Sequence, residues 1–433
     1  MKKLLFTTLV LWLGGQLLVA DEMVDKEKSY SEQDWGIGAV FRSASIPYVT
    51  EDSVVSSFVP MLFFENEYIF MHGLESGIKL YETDEWRLSA ITRVHFVDIP
   101  EEYQNIVQAD TNDVGFQLRY KMKNDQFIDV EAMNDLHGRL FSNLRYSADF
   151  ENGAWEYRPY AQLQWNTSKY NSYYYGLNQE DISSGVDAVV GVDAKYHVWS
   201  NLYLLGKAQA RVLGKDARDS QFIEDTIDAE LYLGFGFFND KSKPKKETLS
   251  ISPYWRIAHG WATPSNLNDI ITGNTEKDPY DNQLTSLFYG YPLTDELFGL
   301  PLDFYLTPGF VYHHSSEVQE VTQEYVLAIK AYYTIPLPWK VRFGVAEGIS
   351  YINEVTYIEQ TEMDEKGYRS SNLLNYLDFS LDLDLGDIFG EKLDDLWLGY
   401  SIHHRSAIFE SSSRFGRIKG GSNYNSVYLQ WHY

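Results

Sequence analysis

Apolar and polar residues alternate along many stretches of about a dozen positions, the two-residue period of a strand with one apolar face. Trp155, Tyr157, Pro159, Ala161, Leu163 and Trp165 share one face of such a stretch, against Glu156, Arg158, Tyr160, Gln162, Gln164 and Asn166 on the other. Val186–Val198 repeats the pattern with Asp187, Asp193, Lys195 and His197 on its polar face. In Leu373–Leu385, the face of Leu377, Phe379, Leu381 and Leu383 opposes Asp378, Ser380, Asp382 and Asp384. Segments of this kind predict about eighteen strands, at roughly 20 residues per strand and turn. About ten fall between Trp35 and Asp240 and about eight between Thr248 and Tyr433. The basic run Lys241–Glu247, holding a Pro that cannot join a ladder, separates the two groups. The expected fold is all-β: an antiparallel up-and-down transmembrane β-barrel. It is either two tandem barrels, over 21–240 and 248–433, or one large barrel.

A water-soluble sandwich would also alternate, so the pattern needs help to name its solvent. Beyond the N-terminus no run of about eighteen apolar residues exists, which excludes helical membrane spans. A closed barrel is the remaining way to satisfy every backbone group in lipid. Three features favour it. Met1–Ala20 has two lysines, an apolar stretch and a small residue before Asp21, the layout of a secretory signal peptide. The alternative, a membrane anchor, is opposed by Gly14, Gly15 and Gln16 within a short apolar core. Aromatics make up 16% of the chain, as interfacial girdles require. Finally, Val427, Leu429, Trp431 and Tyr433 share one face of Ser422–Tyr433, which resembles the C-terminal strand of bacterial outer-membrane barrels.

Composition narrows the chemistry. The 433 residues include no Cys, excluding disulfide scaffolds, thiolate metal sites, thiol nucleophiles and lipid attachment at a thiol. Lys+Arg 36 against Asp+Glu 62 gives a net charge of -26, which would repel a nucleic-acid backbone. No cofactor is expected. The acidic stretches Asn266–Leu284 and Glu359–Arg369 are candidate outer loops that either hold divalent cations or stay solvated.

The N-terminal half resembles the MipA/OmpV family of outer-membrane proteins. The residues that carry this are Gly36–Val40 leading to Pro47-Tyr48, Val59–Phe64, Gly73–Lys79, Tyr173–Glu180 and Gly214–Ser220. The resemblance covers roughly Trp35 to Asp240 and implies an outer-membrane barrel. Its founding member is regarded as a scaffold between a lytic transglycosylase and a murein synthase, which makes those two enzymes the implied partners.

The C-terminal half twice places His-x-Ser in phase with a preceding apolar face. Leu396, Leu398, Tyr400 and Ile402 lead to His404 and Ser406; Phe304, Leu306, Phe310 and Tyr312 lead to His314 and Ser316. Both pairs would face lipid near the outer leaflet, a hydroxyl beside an imidazole, the beginning of a nucleophile–base pair. The arrangement is similar to lipid A deacylases of the PagL type, eight-stranded barrels whose membrane-facing His-x-Ser cleaves an ester-linked acyl chain of lipopolysaccharide. That resemblance implies His404 as general base and Ser406 as nucleophile, with His314 and Ser316 as an echo. The family pattern continues Ser-Asn where this chain has Ser406-Ala407. The final strand offers Asn423 and Asn425 where an orienting carboxylate is expected, and Glu410 is the carboxylate available at the strand top.

Other candidates are weaker in geometry. His313, His314, His403 and His404 would suit a metal by type, but adjacent strand residues point to opposite faces. Glu347 lies in phase with Val341, Phe343, Val345, Ile349 and Tyr351, so it is either a functional carboxylate at membrane depth or turned inward by a bulge at Gly348. Arg414, Arg417 and Lys419 would meet lipopolysaccharide phosphates from an outer loop. Three functions follow. They are a structural or scaffold barrel, favoured by the absence of a complete catalytic set, a lipid A or phospholipid esterase, and a cation-preferring pore lined by Asp378, Ser380, Asp382 and Asp384.

Overall fold

The structure is a computed structural model and describes residues 34–51, 54–100, 103, 106–107, 110–135, 137–244, 246, 248–336, 338–366, 370–406 and 421–433. The expected signal peptide Met1–Ala20, Glu410 and the Arg414–Lys419 run lie outside the described residues.

The first sheet contains β1 (Trp35–Ser45), β2 (Val54–Glu65), β3 (Ile69–Gly73), β4 (Glu75–Glu82), β5 (Trp86–Phe96), β6 (Asp110–Lys121), β7 (Gln126–Asn134), β8 (Leu140–Ala148), β9 (Phe150–Asn152), β10 (Trp155–Asn166), β11 (Gly185–Trp199), β12 (Leu202–Val212) and β13 (Ile227–Phe238). Neighbours in sequence pair antiparallel, and β9 is a short flap on β10. β1 closes on β13 from Gly36↔Phe238 to Ala44↔Glu230, so twelve strands form the ring. At this seam a Cβ on Gly234 would fall 2.0 Å from the Ala39 carbonyl oxygen, so the two strands meet only because that residue is glycine.

The second sheet is a closed barrel of β14 (Tyr254–Thr263), β15 (Gln283–Thr294), β16 (Leu302–His313), β17 (Thr322–Pro336), β18 (Lys340–Ile352), β19 (Leu373–Asp384), β20 (Leu396–Ser406) and β21 (Gly421–His432). β14 pairs with β21 from Tyr254↔His432 to Thr263↔Asn423. The chain thus builds two tandem barrels, not one large one, and the first has twelve strands rather than about ten. The shortfall in the sequence count is explained by the β3–β4 hairpin. Its strands are five and eight residues long, below the roughly ten-residue segment by which barrel strands are recognised.

In both barrels the alternation resolves as apolar-out and polar-in. Phe41, Phe116, Leu163 and Leu233 are exposed on the first, and Ile257, Leu287, Phe343, Leu381 and Trp431 on the second. Arg42, Gln117, Asp129, Glu131 and Gln164 are buried within the first, and Arg256, Lys330, Arg342, Asp378 and Asp382 within the second. This inversion of a soluble globule is what a closed sheet surrounded by lipid requires. Among the described residues no helix is long and apolar enough to cross a membrane.

Candidate functional sites

Loops after β1, β5, β7, β10 and β12 lie at one end of the first barrel and collapse into a shared apolar cluster. Tyr48, Ile99, Val107, Tyr170, Tyr174, Leu177, Leu213 and Ile223 are buried there against Phe70, Met133 and Phe141 of the strands. The helix Ser168–Tyr174 begins at Thr167, whose side chain accepts the Tyr170 N–H. Side chains then tie the loops together. Tyr48 donates its hydroxyl to the Tyr174 carbonyl (3.0 Å), and Tyr174 donates to Asp135 (2.8 Å). Ser220 Oγ lies 3.0 Å from the Tyr175 carbonyl and 2.9 Å from a Glu180 carboxylate oxygen. Arg139 pairs with Asp135 and stacks over the Tyr173 ring, 3.4 Å from its centroid. Next to this cap, Arg42 is held by Asp98 (2.9 Å) and Glu230.

The interior of the second barrel is a ladder of matched charges. Nearest the long loops, Glu324 accepts from His313 Nε2 (2.8 Å), His403 Nε2 (3.1 Å) and Ser350 Oγ (2.6 Å). Arg405 donates to Ser350 Oγ (2.9 Å) and to Glu359 (2.6 Å). Glu359 belongs to the helix Tyr357–Lys366 in the loop after β18. Burial pushes its carboxyl up to about 7 even with Arg405 beside it. Midway, Asp378 lies between Arg256 (2.8 Å) and Lys330. Below, Arg342 donates twice to Asp382 (2.9 and 2.6 Å), and Lys340 donates to Asp384 (2.9 Å). The carboxylates expected to line a cation-preferring pore are therefore internal counter-ions, each already taken by a cation.

The outer wall of the same barrel carries a polar band near its long-loop end. His404 and Ser406 share the outward face of β20 with Leu398 and Tyr400, as the sequence phase required. His404 Nδ1 meets Asn423 Oδ1 at 2.7 Å, so an amide occupies the orienting position expected for a carboxylate. Tyr400 donates to Asn425 (2.6 Å). Glu347 stays on the outer wall rather than turning in. The pairing of β18 with β17 and β19 runs without a register shift past Gly348, and Asn375 donates to Glu347 at 2.9 Å. The echo pair is not assembled as the spacing suggested. Ser316 Oγ accepts from the Val318 N–H in a turn, and His314 instead contacts the hydroxyl of Thr285 on β15, at 2.9 Å. Thr285 and its neighbours Gln283 and His259 escaped notice because no local motif joins them.

The four neighbouring histidines are split between faces, His313 and His403 on Glu324 inside, His314 and His404 outside. Among the described residues no group of three or more His, Asp or Glu side chains is disposed to hold a metal ion.

Residues 36–238 match the family model of MltA-interacting protein MipA. The first barrel is a MipA-family barrel. Its match begins in β1 and ends at the last residue of β13, and with the apolar outer walls it makes the chain an outer-membrane barrel protein. Among solved structures, the chain is similar to OccK11 of Pseudomonas aeruginosa, at 8% identity over 92% of this chain and 95% of that one, with a TM-score of 0.24. It is also similar to the outer membrane channel DcaP of Acinetobacter baumannii, at 8% identity over 95% and 100%, TM-score 0.22. LpxR from Salmonella typhimurium aligns at 8% identity over 67% and 88%, TM-score 0.20. Comparison with curated proteins finds no match.

In this MipA-type barrel the motifs that carry the resemblance fall at three places, the first being β2 to β4, where Val59–Phe64 and Gly73–Lys79 lie. Gly36–Val40 lies on the closing seam. Pro47-Tyr48, Tyr173–Glu180 and Gly214–Ser220 belong to the cap and are joined by the Tyr48, Ser220 and Glu180 hydrogen bonds. Asp187 draws the last two together by accepting from the Gly214 N–H (2.8 Å) and the Tyr175 hydroxyl (3.1 Å).

Proposed function

We propose that the chain is a non-conducting barrel protein of the Gram-negative outer membrane, exported by its signal peptide, with a structural or scaffolding role in the cell envelope. One observation carries this reading: the second barrel is filled by paired charges, as small barrels are filled by side chains, while the first has its loop end tied into a cap. The family description names an MltA-interacting protein, which favours murein enzymes, a lytic transglycosylase and a murein synthase, as partners. The purified protein is expected to be silent in planar bilayers, and affinity capture from solubilised envelopes to recover both enzymes. Steady cation-selective steps, or capture of nothing beyond barrel-assembly proteins, would sink the reading.

A second reading is hydrolysis of an acyl ester of lipid A or phospholipid at His404 and Ser406. The 2.7 Å bond to Asn423 favours it, since a base whose ring is held through one nitrogen can aim the other at a hydroxyl. Overexpression should then remove one acyl chain from lipid A by mass spectrometry, and Ser406→Ala should abolish that loss with heat-modifiable gel mobility retained. An unchanged lipid A spectrum in cells overexpressing the natural chain rules this reading out.

A further inference from the structure

At the outer wall of β14 and β15, hydrogen-bond directions fix one another across five side chains. Gln283 Nε2 donates to Asp281 at 2.8 Å, which turns its Oε1 toward His259 Nε2 at 3.1 Å. An amide oxygen only accepts, so in the neutral ring Nε2 carries the proton and Nδ1 presents a bare lone pair. Nδ1 lies 3.1 Å from Thr285 Oγ1, whose hydroxyl donates to it. His314 Nε2, 2.9 Å away on the other side, then donates to the same oxygen. Hydroxyl, imidazole, amide and carboxylate form one directed chain, in the order nucleophile, base, orienter.

The depth of this chain on the wall selects its substrate. Ile257 and Leu287, the next outward residues away from the long loops, are exposed and apolar, and Trp261 packs edge-on against His259 with ring centroids 4.8 Å apart. Thr285 thus lies where the apolar belt gives way to polar loops, the level at which the ester carbonyls of membrane lipids meet water.

We propose that Thr285 and His259 are the nucleophile and general base of a site that hydrolyses acyl esters of membrane lipids on the outer wall of the second barrel. The site shares no residue with the His404–Ser406 pair and does not depend on the scaffold reading. His259 Nδ1 takes the hydroxyl proton as Thr285 Oγ1 attacks the ester carbonyl carbon. The carbonyl–oxygen bond to the lipid alcohol breaks, and the alcohol leaves with that proton. A water molecule, giving a proton to the same nitrogen, attacks the threonyl ester; the fatty acid is released and the Thr285 hydroxyl restored. Gln283 and His314 are positioning residues, the first for the ring and the second for the hydroxyl.

The test uses the full chain in vesicles of phosphatidylethanolamine and phosphatidylglycerol, and in a second set containing lipopolysaccharide, with released fatty acid measured by mass spectrometry. Release in one arm identifies which lipid supplies the ester. Thr285→Val should lower release to background, Thr285→Ser should retain it, and His259→Ala should lower it by about 100-fold or more. Gln283→Glu should move the rise of rate with pH to higher pH, because an adjacent anion favours the imidazolium; a merely structural role would leave the profile in place. A fluorophosphonate probe should label Thr285 in the unaltered protein, which keeps the test sound even if a variant misfolds. The proposal is overturned by no release in either arm, by no label on Thr285, or by unaltered release from Thr285→Val. If release instead disappears in Ser406→Ala, the chemistry belongs to His404.

Discussion

Asp378→Ala is expected to destabilise the second barrel by about 3–5 kcal/mol, the usual cost of removing one partner from a buried ion pair. Asp378 is the shared counter-ion of Arg256 and Lys330, and all three side chains are buried inside the barrel. Without it two cations face each other in a space walled by Tyr376, Phe288 and Tyr254. The Arg256 guanidinium would keep the faces of Tyr428 and Phe288, 3.9 and 5.7 Å from the ring centroids, and the Ser401 hydroxyl, none of them an anion. The midpoint of the heat-modifiable gel shift, or of urea unfolding in detergent, should fall accordingly. Adding Lys330→Met should return part of the loss, because one fewer cation is stranded. A single variant with an unchanged midpoint would show that the ladder does not hold the barrel together.

Arg405→Met is expected to cost a similar amount, about 3–5 kcal/mol, and to make the covering helix more pH-sensitive than it already is. Arg405 is fully buried, bonded to Glu359, and 3.9 Å from Glu324. In the natural protein burial raises the Glu359 carboxyl to about 7 while Arg405 draws it down, and Glu324 and Glu362 raise it further. A carboxyl raised on folding contributes stability that is complete below the ordinary range of Glu, near about 4.3, and is lost as pH rises through the folded value. Exchange protection of the helix Tyr357–Lys366, corrected for intrinsic rates, should therefore fall as pH rises from about 4.3, the ordinary Glu value, to about 7 and level off above it. Removing Arg405 removes the group that draws Glu359 down, so its carboxyl rises further and the helix loosens more at the alkaline end. Glu359→Gln should flatten the dependence. Protection that does not change with pH in the natural protein would refute the assignment.

The two faces of each strand were readable from the sequence because lipid outside and charge inside impose a strict period of two. Leu377, Phe379 and Leu381 point out and Asp378, Ser380 and Asp382 point in, as their spacing requires. Most partnerships across strands were not readable, although Asn423 stood where a partner of His404 was expected. Residues two apart on one strand are separated by about 6.5 to 7 Å, whereas directly opposed residues on paired strands lie about 4.5–5.5 Å apart. Hydrogen bonds of the wall therefore join register neighbours. His404 faces Asn423 and His259 faces Thr285, pairs set by strand register and separated in sequence by loops. The His-x-Ser spacing put His404 and Ser406 on the outer wall, where the bond formed is from His404 to Asn423 on the neighbouring strand. The interior ladder escaped for the same reason, since Arg256 and Asp378 belong to strands three apart around the ring. The short β3 and β4 were missed because five and eight residues hold too few alternations to register.

Each ring is sealed by its own first and last strands, β1 with β13 and β14 with β21. Deleting either half would expose no unpaired strand edge in the other. Nor would it strip the Arg42 or Asp378 network of a counter-ion, because each closes within its own ring. A gene encoding such a chain can gain, lose or exchange one half in a single recombination event without leaving a sticky, aggregation-prone remnant. The family match that stops at Phe238 is the boundary expected of a lineage in which one ring was joined to another.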